Sequence, residues 1–141
     1  LSARWPPFTT ARHIPASPEA VFAAFEPERL ARWWGPAGFT NTFHRCEMET
    51  GGHWEYEMQG PDGATFRNES RFREVTPTRV VIEHLSNPVY ILEIDLAPAD
   101  GGTTVSWRQA FDKPAVARNL ARIVVPANEE NLDRLTIEVL G

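Results

Sequence analysis

Several runs of the sequence alternate between apolar and polar residues, and tight turns join these runs. From His53 to Met58 the side chains of Trp54 and Tyr56 would point to one face, while Glu55 would point to the other. A period of two is typical of a strand that is buried on one face only. The turn at Gly60-Pro61-Asp62-Gly63 leads directly into the next alternating run. Strands that follow one another through tight turns pair antiparallel, and this restricts the chain to folds built on a meander.

The same two signals, alternation and turn residues, divide most of the chain into strands. Turns rich in Pro, Asn, Asp or Gly separate the predicted strands from one another. The strands are predicted over residues 8–14, 53–58, 65–75, 79–84, 90–96 and 103–111.

Two short helices are predicted between the first strand and the meander. Ser17-Pro18-Glu19 begins the first, because serine can accept a backbone N–H and proline suits the first turn. Pro27-Glu28 begins the second, and Gly35-Pro36 ends it. The first helix is expected to extend to Phe25.

The C-terminal segment is predicted to be helical and amphipathic. Leu132, Leu135 and Val139 lie on one stripe at i, i+3 and i+7, so this helix needs a sheet to cover it. Pro126 either kinks the helix or begins a new one.

The predicted fold class is α+β, because the strands and helices are segregated along the chain. We expect a curved antiparallel sheet of about six to seven strands wrapped around the long C-terminal helix. Residues 1–141 are of ordinary length for a single domain. A long helix that crosses a curved sheet leaves space beneath it, so a cavity is expected there.

Charge and composition narrow the classes of partner and compartment. The formal net charge is −5, which disfavours nucleic acids and anionic membranes as partners. Cys46 is the one cysteine, so an intrachain disulfide is impossible and a cytoplasmic location fits. No signal peptide and no run of about 18 apolar residues is present, so no spanning helix is expected. The Leu1 start indicates a trimmed N-terminus.

The order of elements and several motifs resemble the family of activators of the heat-shock-protein-90 ATPase (Aha type). That family belongs to the START, polyketide-cyclase and SRPBCC superfamily, and the resemblance implies its helix-grip fold. The superfamily consists largely of containers for small molecules, with no fixed catalytic set, so the resemblance implies no catalytic residue here. The matching motifs are residues 18–22, 30–36 (which contain Trp33-Trp34-Gly35-Pro36), Gly51-Gly52-His53-Trp54, 60–63 and Leu132-Asp133-Arg134-Leu135.

The chain departs from the family pattern at two places. Glu49 stands where the family often has a basic residue, just before the Gly-Gly pair. Ala127-Asn128 stand where the family often has Gly-Trp. Because an amide replaces an indole at Asn128, the resemblance implies a roomier or more polar pocket in this chain.

The inward faces of the predicted strands combine aromatic and polar side chains. A buried polar group without a hydrogen-bond partner costs roughly 1–3 kcal/mol, so these groups need one another, water or a ligand. A small hydrophobic or aromatic molecule is therefore the leading prediction for a partner. The predicted cavity lining is Trp34, Trp54, Tyr56, Phe66, Asn68, Ser70, His84, Trp107, Gln109, Asn128 and Leu132.

Alternatives remain open at this point. The polar groups could form a closed network with water, and Trp34 could seal the core, line a pocket lid or meet a partner. His84 is the best acid–base candidate for a cyclase or hydrolase using the same pocket. The family resemblance suggests a co-chaperone, and an exposed strand edge makes a homodimer possible.

Metal and cofactor chemistry is weakly indicated. His44 and Cys46 are expected on one strand face, but no third ligand is apparent. Cys46 is better interpreted as a small core residue. We therefore predict no metal, no cofactor and no assigned catalytic residue.

Overall fold

The computed structural model describes residues 6–141, so Leu1 lies outside the described part of the chain. In chain order a strand is followed by two short helices, six strands and a long helix. This order confirms the predicted α+β class. The elements are β1 (Phe8–Ile14), α1 (Pro18–Ala23), α2 (Pro27–Trp33), β2 (Thr40–Cys46), β3 (His53–Gln59), β4 (Thr65–Thr76), β5 (Arg79–His84), β6 (Tyr90–Ala99), β7 (Gly102–Phe111) and α3 (Pro114–Leu140).

The strands form one curved, entirely antiparallel sheet in the order β1-β7-β6-β5-β4-β3-β2. Strands β2 to β7 follow one another as a meander, and β1 pairs with β7 at the opposite edge from β2. The α1–α2 unit therefore carries the chain from one edge of the sheet to the other. This connection, together with α3, closes the concave side of the sheet in a helix-grip arrangement.

The local signals for the short helices are realised in the structure. The Ser17 hydroxyl accepts a hydrogen bond from the Ala20 backbone N–H at 3.1 Å, and Pro18 occupies the first turn. Helix α1 ends at Ala23 rather than at Phe25. Beyond α2, Gly35 has a φ of +98°, and a Cβ there would lie 2.5 Å from Cε of Met58. The left-handed backbone favours glycine here, whereas the flexible end of Met58 could move to admit a Cβ.

A β-bulge in β2 overturns one prediction. The pairing with β3 shifts between Phe43 and Arg45, so Phe43 and Cys46 both pack against the core. His44 points outwards instead and meets Glu57 at 2.6 Å. His44 and Cys46 therefore do not share a face, because the extra residue of a bulge reverses the alternation beyond it.

Helix α3 is continuous from Pro114 to Leu140, with Pro126 inside it. Of the two options left open at Pro126, the structure shows the single helix. The predicted stripe is confirmed, because Leu132 and Leu135 are fully buried and Val139 packs against the core.

The core between α3 and the sheet is largely aromatic. The Trp54 ring stacks on Tyr56 at 4.2 Å and on Phe72 at 5.3 Å between centroids. Trp34 packs edge-on against Trp54 at 5.1 Å and stacks near Trp107 at 6.0 Å. Burial of such large rings supplies much of the hydrophobic stabilisation of a domain of this size.

Arg134 of α3 fastens the loop that follows α2. Its guanidinium donates hydrogen bonds of 2.9–3.1 Å to five backbone carbonyls. These carbonyls belong to Arg32, Trp34, Gly35, Pro36 and Phe39. The two N–H groups of Nη1 are shared among the carbonyls of Trp34, Gly35 and Pro36, and those of Nη2 face the other two.

Replacement of Arg134 by methionine should destabilise the protein by roughly 1–3 kcal/mol, because partly buried carbonyls lose their donors. Arg122→Met is the matched control, since Arg122 is exposed on the same helix. Urea denaturation of both variants tests this. Equal stability of the two variants would show that the loop carbonyls do not depend on Arg134.

Candidate functional site

A cavity of about 220 Å³ lies between the sheet, α3 and the loop after α2. Aromatic rings and aliphatic groups form most of its wall, and amide and imidazole groups interrupt them. The lining residues are Trp34, Gly35, Pro36, Tyr56, Met58, Asn68, His84, Pro88, Tyr90, Leu92, Trp107, Gln109, Ala127, Asn128 and Asn131.

Most of the residues predicted from the sequence line this cavity. They come from the loop after α2, from four strands and from α3, and they are Trp34, Tyr56, Asn68, His84, Trp107, Gln109 and Asn128. Trp54, Ser70 and Leu132 are fully buried beside it, within the core and outside the lining. The structure therefore brings ten of the predicted residues to one region.

Phe66 lies outside this region and, like Trp54, Ser70 and Leu132, it is not part of the cavity wall as predicted. Its side chain is 50% exposed and lies against Phe39, with 6.2 Å between ring centroids. Phe66 has the predicted inward parity, but it lies at the start of β4, outside the cavity wall. The two rings border an open groove that shares Pro36, Met58 and Asn68 with the cavity wall.

Sequence reasoning missed several lining residues, notably Met58, Tyr90 and Asn131. Met58 lies on the same face of β3 as Trp54 and Tyr56, which the alternation predicts. Tyr90 is the first residue of β6. Asn131 follows Asn128 by three residues and therefore lies on the same helix face. The spacing from Asn128 could therefore have predicted an inward position for Asn131. In the structure Asn131 is buried and donates a hydrogen bond to the Trp33 carbonyl at 3.0 Å.

The two tryptophans after α2 have different roles. Trp33 is buried beneath the short helices, and its Nε1 donates a hydrogen bond to the Ala24 carbonyl at 2.7 Å. Trp34 is also buried, but its ring forms part of the cavity wall. One indole of the pair thus seals the core, and the other faces the cavity.

His84 is the one histidine in the cavity wall, and it is only 3% exposed. Its Nδ1 lies 2.8 Å from the Pro88 carbonyl oxygen, and its Nε2 lies 2.8 Å from Oδ1 of Asn68. The imidazole stacks on the Tyr90 ring with 4.6 Å between centroids. Burial lowers the pKa of His84, and the Pro88 carbonyl partly opposes that shift.

The remaining polar groups of the wall are amides, phenols and indoles, and the indole Nε1 of Trp107 has no hydrogen-bond partner among the described residues. The Asn128 side-chain amide donates to Oε1 of Gln109 at 3.0 Å, which joins α3 to β7. Burial raises the pKa of both Tyr56 and Tyr90, so their hydroxyls are neutral near pH 7. The wall is therefore polar but carries no carboxylate, lysine or arginine among its lining residues.

Neither a metal centre nor a membrane span is found among residues 6–141. No three His, Cys, Asp or Glu side chains in that range are placed to hold a metal ion. No helix of the described chain combines the length and apolarity needed to cross a bilayer.

The family model described as "Activator of Hsp90 ATPase homolog 1-like protein" matches residues 15–139. The chain belongs to this family. Among curated proteins none matches it.

Solved structures of similar proteins share the fold over nearly the whole chain. A protein from Nitrosomonas europaea is 21% identical, with a TM-score of 0.85 over 96% of this chain and 94% of its own. One from Chromobacterium violaceum is 25% identical, with a TM-score of 0.80 over 93% and 95%. An AHSA1-like protein from Aeromonas hydrophila is 26% identical, with a TM-score of 0.74 over 95% and 92%.

Two motifs that carry the family resemblance meet in space at the cavity wall. Arg134, from the Leu132-Asp133-Arg134-Leu135 motif, binds the carbonyls of Trp34, Gly35 and Pro36. The Ala127-Asn128 pair, where this member departs from the family pattern, lies in the wall itself. Residues of the Trp33-Trp34-Gly35-Pro36 motif and the Ala127-Asn128 pair therefore line the cavity together, and Arg134 supports the motif from behind.

The lowered pKa of His84 predicts a pH-dependent stability. The unfolded chain binds a proton near pH 6.5 and the folded chain only at lower pH, so acidification favours unfolding. Stability should fall below about pH 6.5, by at most about 1.4 kcal/mol per pH unit for this one proton.

Urea denaturation of the wild type and of His84→Gln across that range measures the effect. In His84→Gln the free energy of unfolding should no longer show the decrease with falling pH that this proton causes. His44→Gln should still show it, because His84 is untouched. An unchanged slope in His84→Gln would contradict the assignment to His84.

Proposed function

We propose that residues 1–141 act as a single domain that binds a small aromatic molecule, without covalent attachment, in the cavity between the sheet and α3. The observation that carries the proposal is the cavity wall. Aromatic rings such as Trp34, Tyr56 and Trp107 provide apolar contacts, and a few amide side chains can orient a ligand through hydrogen bonds. This combination is typical of small-molecule sites.

The size of the cavity restricts the ligand. A dry cavity of about 150 Å³ can hold benzene, and sites for drug-sized ligands span about 300–1,000 Å³. At about 220 Å³ the cavity suits one ring with a small polar substituent. A sterol or a phospholipid is too large for it.

Unused hydrogen-bonding groups in the wall also support a ligand with a polar substituent. Nε1 of Trp107 is buried and has no acceptor among the described residues. The Gln109 side chain accepts from Asn128 through Oε1, which leaves its amide nitrogen to donate. A buried polar group without a partner is costly, so a ligand that pairs with these groups stabilises the site.

A catalytic role for His84 is less well supported. A general base must present a free nitrogen within hydrogen-bond reach of the substrate proton. Both His84 nitrogens lie 2.8 Å from protein oxygens instead. Binding is therefore favoured over turnover in this cavity.

The family match provides a second candidate function, a partner of an Hsp90-type chaperone. The side chains of Ile123 and Ile137 are exposed and lie on the same side of α3, where they can contact a partner. Stimulation of the chaperone ATPase by the purified protein tests this role. Absence of stimulation and of complex formation would remove it.

A cytoplasmic location is proposed from the single thiol. Burial raises the pKa of Cys46 to about 12, so the group stays protonated and inert near neutral pH. Such a thiol fits a reducing compartment.

Protein-observed NMR with single-ring aromatics tests the binding proposal. A panel of benzamide, phenol and benzoate should shift the indole N–H signals of Trp34 and Trp107, which line the cavity. Shifts confined to residues outside the cavity, or no shifts at all, would contradict the proposal.

Asn128→Trp should fill the cavity and weaken binding by about tenfold or more, because an overpacked site excludes the ring. Ile123→Trp is the control, since it adds the same ring at an exposed position of α3. Thermal unfolding verifies that both variants fold. Wild-type affinity in folded Asn128→Trp would place the ligand elsewhere.

A further inference from the structure

The hydrogen bonds around His84 cannot all be satisfied by a neutral imidazole. A carbonyl oxygen can only accept a hydrogen bond, so Nδ1 must carry a proton to bond with Pro88. A neutral ring then has no proton on Nε2, which faces the Asn68 side-chain amide at 2.8 Å. The amide nitrogen of Asn68 is already committed, because it donates to the Phe66 carbonyl at 3.0 Å.

Neither of the other neutral arrangements removes the conflict. If the Asn68 amide is turned so that its nitrogen meets Nε2, then its oxygen faces the Phe66 carbonyl oxygen. If the proton moves to Nε2, then the bare Nδ1 faces the Pro88 carbonyl oxygen. Each neutral form leaves one pair of acceptors in contact. At either nitrogen of the buried His84 ring that contact is costly, whereas at the exposed Phe66 carbonyl water lowers the cost.

Ser86 does not relieve the conflict. Its hydroxyl lies 3.5 Å from Nε2 of His84, beyond the usual hydrogen-bond range. Only the doubly protonated ring donates to both neighbours and leaves every group paired. The surroundings of His84 are therefore built for an imidazolium, and its burial alone opposes that charge.

No fixed negative charge of the described chain faces His84. On the inner face of the sheet the titratable neighbours are Tyr56 and Tyr90, both neutral. From α3, Arg134 and Glu130 are both bound to the loop after α2, Arg134 to its carbonyls and Glu130 to the Ala37 N–H, and neither lines the cavity. The charged residues of neighbouring strands, Glu69, Arg71 and Glu83, lie on the outer face, where Glu83 pairs with Arg73.

We infer that the occupant of the cavity is a small aromatic acid bound as its anion, with uptake of one proton by His84. This inference rests on the proposed function and specifies its ligand class. The anion offsets the cost of a buried imidazolium, and the protonated ring resolves the contact with Asn68. The cavity wall carries no carboxylate that would repel the anion. The amides of Gln109 and Asn128 are in the same wall and can orient it.

Proton uptake gives binding a distinctive pH dependence. Benzoate is ionised throughout the range from about pH 5 to pH 8, so only the protein titrates. Above the pKa of free His84, its affinity should fall about tenfold per pH unit. Benzamide has nearly the same shape without the charge, and its affinity should stay constant.

Titration calorimetry of the full chain with benzoate and with benzamide, in buffers of different ionisation enthalpy, measures the protons taken up. We expect nearly one proton per benzoate and none per benzamide. The imidazole ¹⁵N signals of His84 should report a protonated ring in the benzoate complex at pH values where the free protein shows a neutral one.

Two variants complete the test. His84→Gln should abolish proton uptake and the pH dependence, while His44→Gln should retain both. Benzoate binding without proton uptake, or binding of benzamide alone, would overturn the inference and leave the proposed function intact. Binding of neither probe to the cavity would overturn the proposed function, and the inference with it.

Discussion

The attachment of α3 to the loop after α2 is the contact on which the cavity depends. Arg134 contacts four carbonyls of that loop and one of α2, and Glu130, one helical turn earlier, accepts a hydrogen bond from the Ala37 backbone N–H at 3.1 Å. Arg134 thus binds carbonyl oxygens of this loop, and Glu130 on the same helix binds one of its N–H groups. Because Trp34 precedes this segment directly, its ring is held against the sheet as part of the cavity wall.

Local sequence signals predicted most of the fold because they act over short distances. Alternation identified the buried face of β3, and Trp54 and Tyr56 are buried as expected. The same rule failed at His44, where a bulge inserts one residue, and at Phe66, which lies outside the cavity wall. Alternation predicts the face of the sheet on which a side chain lies. It does not predict where a bulge interrupts the strand, or how far along the strand α3 and its neighbours cover that face.

Tertiary packing decided the features that local rules left open. Pro126 removes a helical hydrogen bond, yet α3 continues through it. Val124 before the proline and Leu132 after it are both buried, so the two halves of the helix are held by separate contacts. The partners of Arg134 are some 95 to 102 residues distant in sequence. No spacing pattern predicts such contacts, although the predicted lining from Trp34 to Asn128 was largely found together.

The position of His84 explains why a titratable group can serve binding without chemistry. Its ring nitrogens face Pro88 and Asn68, so the imidazole cannot reach a substrate proton directly. Its charge nevertheless acts across the cavity, because the low dielectric of a buried site extends the range of electrostatic effects. An imidazole held in this way changes which ligand charge the cavity prefers, and it does not react with the ligand. Under the proposed function, the hydrogen bonds that occupy both nitrogens of His84 leave its charge as a determinant of ligand selectivity.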